Sequence, residues 1–172
     1  MAITTLNNRS INRSDTASAD QVWTATSATA SDFQAVSGGK ILQVVSAVDG
    51  TERSTTSTSW VTASSTLTLD ITPSATTSKI LLMLSTNVFI SANDGSITLY
   101  RDATNLGHAD YGFSYLHIIA GYTHPTIIEL DSPSSTSQIT YAMYIRNISG
   151  SSTMYAGSNS DEGSLIAMEI GA

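Results

Sequence analysis

The chain has 172 residues, of which 41% are hydrophobic and only 12% charged, and its formal net charge is −7. The absence of cysteine excludes disulfides, thiol nucleophiles and zinc–thiolate sites. Because only 7 basic residues stand against 14 acidic ones, the chain is unsuited to neutralising phosphates, and we expect no nucleic-acid partner.

Residues 1–37 differ in composition from the rest of the chain. They are rich in Thr, Ser, Asn and Ala, and their few apolar side chains follow no sustained period. Such a segment buries too little apolar surface to offset the entropy of ordering it alone. We predict an extended N-terminal arm over residues 1–37 and a folded head over residues 38–172, with the boundary at Gly38-Gly39.

The arm contains a small repeat, Asn8-Arg9-Ser10 and Asn12-Arg13-Ser14. One interpretation is that the arm docks on another protein. The guanidinium groups of Arg9 and Arg13 would bind carboxylates of that protein, and Trp23, which stands alone in a polar tract, would be buried on assembly. The alternative is a solubilising tail. The candidate docking residues are Ile3, Leu6, Arg9, Ile11, Arg13 and Trp23.

The first half of the head shows short β-prone runs separated by turn signals. Residues 41–48 form the first predicted strand, and Asp49-Gly50 is a turn pair. Residues 51–60 are almost wholly Thr and Ser, which suits the edge of a sheet. Residues 66–71 alternate between polar and apolar side chains, which predicts a half-buried strand that Pro73 ends.

Residues 79–90 are the longest apolar stretch, and Asn93-Asp94-Gly95 follows. Residues 96–101 then alternate between polar and apolar side chains. Two such runs around an Asp-Gly pair predict a β-hairpin. No apolar run approaches the ~20 residues that a membrane helix needs, so no membrane insertion is expected.

Four further strands are predicted, over residues 126–130, 138–148, 153–156 and 164–170. No segment carries apolar residues at helical spacing over a dozen residues, and strands do not alternate with helices. We therefore predict an all-β fold, an antiparallel β-sandwich of roughly eight to ten strands with a jelly-roll-like arrangement.

The last predicted strand is apolar on both faces. Leu165 and Ala167 lie on one face, and Ile166, Met168 and Ile170 on the other. A strand with one face in water should alternate more cleanly. Either the second face is a subunit interface, or the strand is fully buried at the centre of its sheet.

Residues 108–125 hold all three histidines and several aromatic residues, spaced by glycines. One interpretation is that one more strand crosses this segment, with the histidines at its border and a core formed by Phe113, Tyr115, Leu116, Ile118 and Ile119. A second is an exposed loop that stacks on sugar rings and grips hydroxyl groups. A third, which the histidine spacing does not favour, is a metal site. The candidate ligand-binding residues are His108, Tyr111, Tyr115, His117, Tyr122 and His124.

No motif for catalysis is found. There is no Gly-x-Ser-x-Gly elbow, and Asp161-Glu162 has the character of a solvated turn. A glycosidase needs two positioned carboxylates, and Asp110, Glu129 and Asp131 show no distinguishing context. We predict no catalytic residue, no cofactor and no metal ion, hence a protein that is not an enzyme.

The head resembles the C-terminal modules of bacteriophage tail-fibre-like virion proteins, common in phages of marine and cyanobacterial hosts. The resemblance covers roughly residues 38–172. The segments that carry it are Gly39-Lys40-Ile41-Leu42-Gln43-Val44-Val45, Ile71-Thr72-Pro73-Ser74, Ser78-Lys79-Ile80-Leu81-Leu82-Met83, Leu99-Tyr100-Arg101-Asp102, Asn105-Leu106-Gly107, Leu130-Asp131-Ser132-Pro133, Ile139-Thr140-Tyr141 and Met168-Glu169-Ile170.

The resemblance implies a compact head similar to C1q and tumour-necrosis-factor heads, which assembles as a homotrimer on the exterior of the virion. It implies no catalytic residues. The arm would bind other virion proteins of the tail or capsid. Two functions remain open: a short tail fibre whose head binds a host-surface glycan, and a capsid decoration (cement) protein that stabilises the head shell. An arm of 37 residues reaches at most about 130 Å, which weakens the case for a long fibre.

Overall fold

The computed structural model of the chain describes residues 21–25, 31–35, 40–63, 67–117, 120–157 and 161–171. The chain divides into two compact units, residues 1–38 and residues 39–172. In the first unit, strand β1 (Gln21–Ala25) pairs antiparallel with strand β2 (Ser31–Ala35). The predicted arm therefore contains a β-hairpin, whose backbone N–H and C=O groups satisfy one another.

The described residues of the second unit form strands joined by turns. The first eight are β3 (Ile41–Asp49), β4 (Arg53–Thr55), β5 (Val61–Thr62), β6 (Thr68–Ile71), β7 (Lys79–Ser85), β8 (Val88–Ile90), β9 (Asp94–Arg101) and β10 (Thr104–Asn105). The others are β11 (Ser114–His117), β12 (Gly121–Thr123), β13 (Thr126–Asp131), β14 (Ile139–Asn147), β15 (Met154–Ala156) and β16 (Gly163–Ile170). No helix of membrane-spanning length and hydrophobicity occurs among the residues described.

The strands form the antiparallel sheets of a β-sandwich. One layer has the order β13-β7-β16-β3, and its strands continue, in the same order, into the smaller sheet β12-β8-β15-β4. The other layer has the order β10-β9-β14-β5, with β11 also paired to β9 and β6 also paired to β14. The predicted all-β, jelly-roll-like sandwich is thus confirmed.

The core lies between the two layers. Alternate residues of the central strands point inward, as the period of two requires. In β14 the inward face is at most 3% exposed and consists of Ile139, Tyr141, Met143 and Ile145. From the opposite layer Ile80, Leu82 and Leu84 of β7, with Leu165 and Ala167 of β16, complete the same cluster.

The predicted hairpin at Asn93-Asp94-Gly95 is wrong. Strand β8 pairs with β12 and β15, whereas β9 pairs with β10, β11 and β14. The chain does turn at Asn93, which has a φ of 60°, but the turn carries it from one layer of the sandwich to the other. The turn signal fixed the local backbone and not the partner of the next strand, because partner choice depends on which layer buries each apolar face.

Two other predicted strands are shorter than expected. The run 79–90 is interrupted at Thr86-Asn87, both buried, where the larger sheet continues into the smaller one. Within the polar run 51–60 only β4 is a strand, and it lies at an edge of its sheet. The edge position agrees with the polar side chains of residues 53–55, since an edge strand needs little burial.

Candidate functional site

The structure divides the candidate segment 108–125 between the two layers. Strand β11 pairs with β9 at the edge of one layer, and β12 pairs with β8 at the edge of the other. His108, Tyr111, Tyr115 and His117 therefore lie in one region, and Tyr122 and His124 in another. We call the first group, together with Asp94, the aromatic cluster.

The aromatic rings of the aromatic cluster contact one another at the surface. The rings of His108 and Tyr111 are stacked with centroids 5.3 Å apart, and those of Tyr111 and Tyr115 meet edge-on at 5.3 Å. Tyr111 is 50% exposed and Tyr115 47% exposed. The core interpretation is therefore wrong for Tyr115, whereas Phe113 and Leu116 do pack against the core and Ile118 and Ile119 lie outside the described residues. The core contact of this strand is made by Leu116, whose side chain points to the opposite face.

A tight loop holds the cluster in place. His108 and Gly112 exchange backbone hydrogen bonds of 3.1 and 2.8 Å, and Trp60 Nε1 donates to the carbonyl oxygen of Ala109 at 2.8 Å. His108 Nδ1 accepts from the backbone N–H groups of Asp110 and Tyr111. This nitrogen is therefore unprotonated, and the histidine acts as a cap for the loop as well as a stacking partner.

The carboxylate of Asp94 is a hydrogen-bond acceptor within the aromatic cluster. Its carboxylate contacts His117 Nδ1, and hydrogen bonds from Tyr115 and then from His117 hold the pKa of Asp94 below its ordinary value. The same bond to Asp94 raises the pKa of Tyr115. The cluster thus offers exposed ring faces beside a carboxylate, a phenol and an imidazole, the groups that stack on sugar rings and bind hydroxyls.

The second region carries an aromatic row that no local sequence pattern reveals. Tyr122, Phe89 and Tyr155 are register partners on adjacent strands β12, β8 and β15. The Phe89 centroid lies 4.6 Å from that of Tyr122 and 5.6 Å from that of Tyr155. Nearby, His124 Nδ1 lies 3.4 Å from Ser85 Oγ. Phe89 and Tyr155 stand apart in the sequence, so only strand pairing brings them to Tyr122.

The outward side of the sheet β13-β7-β16-β3 is mainly apolar. We call it the apolar face. Met168 on β16 pairs with Val44 on β3 and with Leu81 on β7, and Leu81 in turn pairs with Leu130 on β13. In the next row Ile166 on β16 pairs with Met83 on β7, which pairs with Ile128 on β13. Ile128 is 64% exposed and Val44 56% exposed. The members of the apolar face are Ile41, Val44, Val48, Leu81, Met83, Ile128, Leu130, Ile166, Met168 and Ile170.

Strand β16 combines features of both interpretations of its pattern. It is central, because it pairs with β3 on one side and β7 on the other. However, among its apolar side chains only Leu165 and Ala167 are fully buried, while Ile166, Met168 and Ile170 are half-buried on the apolar face. The strand is therefore not buried on both sides within this chain.

The acidic residues considered for catalysis do not form a site. The carboxylate of Asp131 forms a salt bridge of 2.7 Å with Arg101 and accepts a hydrogen bond from the hydroxyl of Tyr141. Asp110 lies in the exposed loop and Glu129 on β13. Over the described parts of the chain, His, Asp and Glu nowhere group so as to hold a metal ion.

The candidate docking residues of the arm fall largely outside what the structure describes. Ile3, Leu6, Arg9, Ile11 and Arg13 lie outside the described residues. Trp23 lies in β1, where the register places it opposite Phe33. The docking hypothesis therefore stays a prediction.

Comparison with known proteins adds no family to this picture. No protein-family model and no curated protein matches the chain.

Proposed function

We propose that this protein is a non-enzymatic structural protein of a bacteriophage virion, anchored by its N-terminal arm and exposed on the particle exterior. Its head forms a homotrimer and binds a saccharide of the host surface through the aromatic cluster. The resemblance of residues 38–172 to tail-fibre-like modules is the reason for placing it on a virion.

The apolar face is the observation that carries the proposal. Large contiguous apolar patches are rare on monomeric proteins and mark association surfaces. Here one row of apolar residues crosses all four strands, from Val44, which is 56% exposed, to Leu130. The next row is apolar on three strands and ends at Ile128, which is 64% exposed, with Ser46 at its other end. Association through this face removes Ile128 and Val44 from water, and each Å² of apolar surface buried stabilises the assembly by roughly 25 cal/mol.

The aromatic cluster is placed so that association leaves it free. It lies on the outward side of the layer that contains β9 and β14, whereas the apolar face belongs to the other layer of the sandwich. A trimer built on the apolar face would present three copies of the cluster. Three weak saccharide sites then gain avidity through their effective concentration.

The oligomeric state is tested by light scattering on the purified full chain. We expect a mass of three chains, and we expect Ile128→Glu combined with Ile166→Glu to give monomers, because two charges would have to be buried at the interface. Thr62→Glu, an exposed site on the other layer, is the matched control and should remain trimeric. A monomeric unmodified chain, or a double variant that stays trimeric, would contradict the proposal.

Saccharide binding is tested with a glycan array and with host cells. Tyr111→Ala and Tyr115→Ala should abolish binding, while Tyr122→Ala, equally exposed but outside the cluster, should leave it unchanged. Copy number per particle separates the two virion roles. Hundreds of copies, no saccharide binding and fragile particles in the protein's absence would favour the decoration protein and reject the receptor role.

A further inference from the structure

A row of four side chains crosses the outward side of the layer that carries the aromatic cluster. Tyr115 on β11 pairs with Ser96 on β9, and Ser96 pairs with Arg146 on β14. Strand β14 also pairs with β5, and extending that register by one residue places Trp60 opposite Arg146. The guanidinium carbon of Arg146 lies 5.3 Å from the centre of the Trp60 ring. The row thus connects the aromatic cluster to an arginine stacked on a tryptophan.

Arg146 lacks the polar partners that arginines normally have. Arg101 forms a salt bridge with Asp131, and Arg53 donates to the backbone of Glu52. For Arg146 no carboxylate within salt-bridge distance and no hydrogen-bond acceptor is found among the described residues. Its Nε is buried without a partner, and so is Ser96 Oγ on the residue paired with it.

The surroundings leave this cation uncompensated. The acid on the same face of β9 is Asp94, two residues from Ser96, and its carboxylate is occupied by His117 and Tyr115. Stacking on an aromatic ring is the usual way to hold a guanidinium so that its outer N–H groups meet an oxyanion in two parallel hydrogen bonds. Among the described residues no carboxylate pairs with Arg146, so a bound oxyanion would supply the partner that the protein does not.

We infer that Arg146 binds an oxyanion carried by the saccharide, either a sugar carboxylate or a sugar phosphate. The sugar ring lies on the Tyr115 side of the row, and the anionic group lies at the guanidinium next to Trp60. The inference rests on the proposed function, since it names the class of saccharide that the aromatic cluster takes.

The probes are three sugars that differ only at carbon 6: galactose, galacturonate and galactose 6-phosphate. Inorganic phosphate is a fourth probe, which separates a free oxyanion from one carried by a sugar. The chain has two tryptophans, so Trp23→Phe leaves Trp60 as the single fluorescent reporter beside Arg146. Binding is measured by Trp60 fluorescence and, independently, by calorimetry on the full chain.

We expect one of the two acidic sugars to bind at least tenfold more tightly than galactose. Arg146→Gln should reduce that preference to less than twofold, and Arg146→Lys, which keeps the charge but not the fork, should retain part of it. Arg53→Gln is the control, because it removes an arginine whose polar partner lies outside the row. Melting temperatures of the variants verify that each one folds.

The outcomes separate this inference from the proposed function. If galactose binds as tightly as the acidic sugars and Tyr115→Ala abolishes both, the proposed function stands and the role of Arg146 is rejected. If the preference persists in Arg146→Gln, or if inorganic phosphate binds as tightly as the sugar phosphate, the inference is also rejected. Absence of binding by every probe rejects it as well, whatever the glycan array reports.

Discussion

The hydroxyl of Tyr141 donates a hydrogen bond of 2.6 Å to the carboxylate of Asp131, and this bond joins the two layers of the sandwich. Tyr141 lies on β14 of one layer and Asp131 at the end of β13 of the other. Burial, followed by the bond to Asp131, raises the pKa of Tyr141 far above its ordinary value. Arg101 completes the group with a salt bridge to the same carboxylate at 2.7 Å.

Removing the shared acceptor should destabilise the head. Asp131→Ala leaves a buried hydroxyl and a half-buried guanidinium without their partner, and we expect a loss of about 3 kcal/mol in the free energy of unfolding. Urea denaturation measures it. Asp110→Ala, at an exposed loop position, should change the value by less than about 0.5 kcal/mol. Equal effects of the two substitutions would contradict the importance of the interlayer group.

Glu169 should make the stability of the head depend on pH in the acid range. Burial alone raises the pKa of Glu169, but hydrogen bonds from Ser74 and Gln43 outweigh it and lower the pKa to about 2. Because the folded-state pKa lies below the unfolded value of 4.5, the ionised Glu169 stabilises the folded head, and this stabilisation is fully present above pH 4.5. It should fall away as the pH drops from about 4.5 to about 2, in total on the order of 2–3 kcal/mol.

Unfolding in urea across that pH range tests the role of Glu169. Glu169→Gln should be less stable at neutral pH and should lose part of the acid dependence, because the group can no longer ionise. Glu162→Gln, at an exposed position of the same segment, should keep the full dependence. A steep acid profile that persists in Glu169→Gln would assign it to other carboxylates.

The loop under the aromatic cluster should not tolerate a side chain at Gly112. This residue has a φ of +61°, and an added Cβ would lie 2.3 Å from the carbonyl oxygen of Ile97. Because the obstacle is backbone, we expect Gly112→Ala to displace the loop and cost about 2 kcal/mol or more. Amide chemical shifts of residues 108–115 should report the displacement.

Gly150 provides the matched comparison for Gly112. Its φ is +69°, but an added Cβ would meet only the methyl group of Thr58 at 3.1 Å. Gly150→Ala should therefore cost only about 1 kcal/mol, the penalty of the left-handed backbone. A Gly112→Ala variant as stable as Gly150→Ala would mean that the loop relaxes without strain.

Assembly through the apolar face should make the thermal stability depend on concentration. Because the trimer links folding to association, its Tm should rise by several degrees over a hundredfold increase in protein concentration. Differential scanning fluorimetry at a series of dilutions measures the effect. In Ile166→Glu the dependence should disappear, while Ser59→Glu, exposed outside that face, should preserve it.

Patterns within single strands predicted the fold class well. The strand predicted over residues 138–148 is present as β14, and its residues alternate in burial, since a strand with one face in the core must alternate with period two. The double-sided apolar pattern of β16 likewise reflected a real feature, a central strand whose outer face is only half covered.

Relations between strands were predicted poorly. The Asp94-Gly95 turn was assigned to a hairpin, although it connects two layers. The candidate site was treated as one loop, although the chain crosses between layers after His117 and leaves Tyr122 on the other one. Arg146 and Trp60 received no role, because nothing in their local sequence shows what lies beside them.

The sequence by itself determined the all-β fold class, the approximate positions of most strands in the head, and the chemistries that the composition rules out. These properties depend on side-chain type and on a period of two, both local. Only the tertiary structure decided which strands are neighbours, and with that the row from Tyr115 to Arg146 and the apolar face. Strand pairing joins residues far apart in the chain, and its free energy depends on burial summed over the whole sandwich.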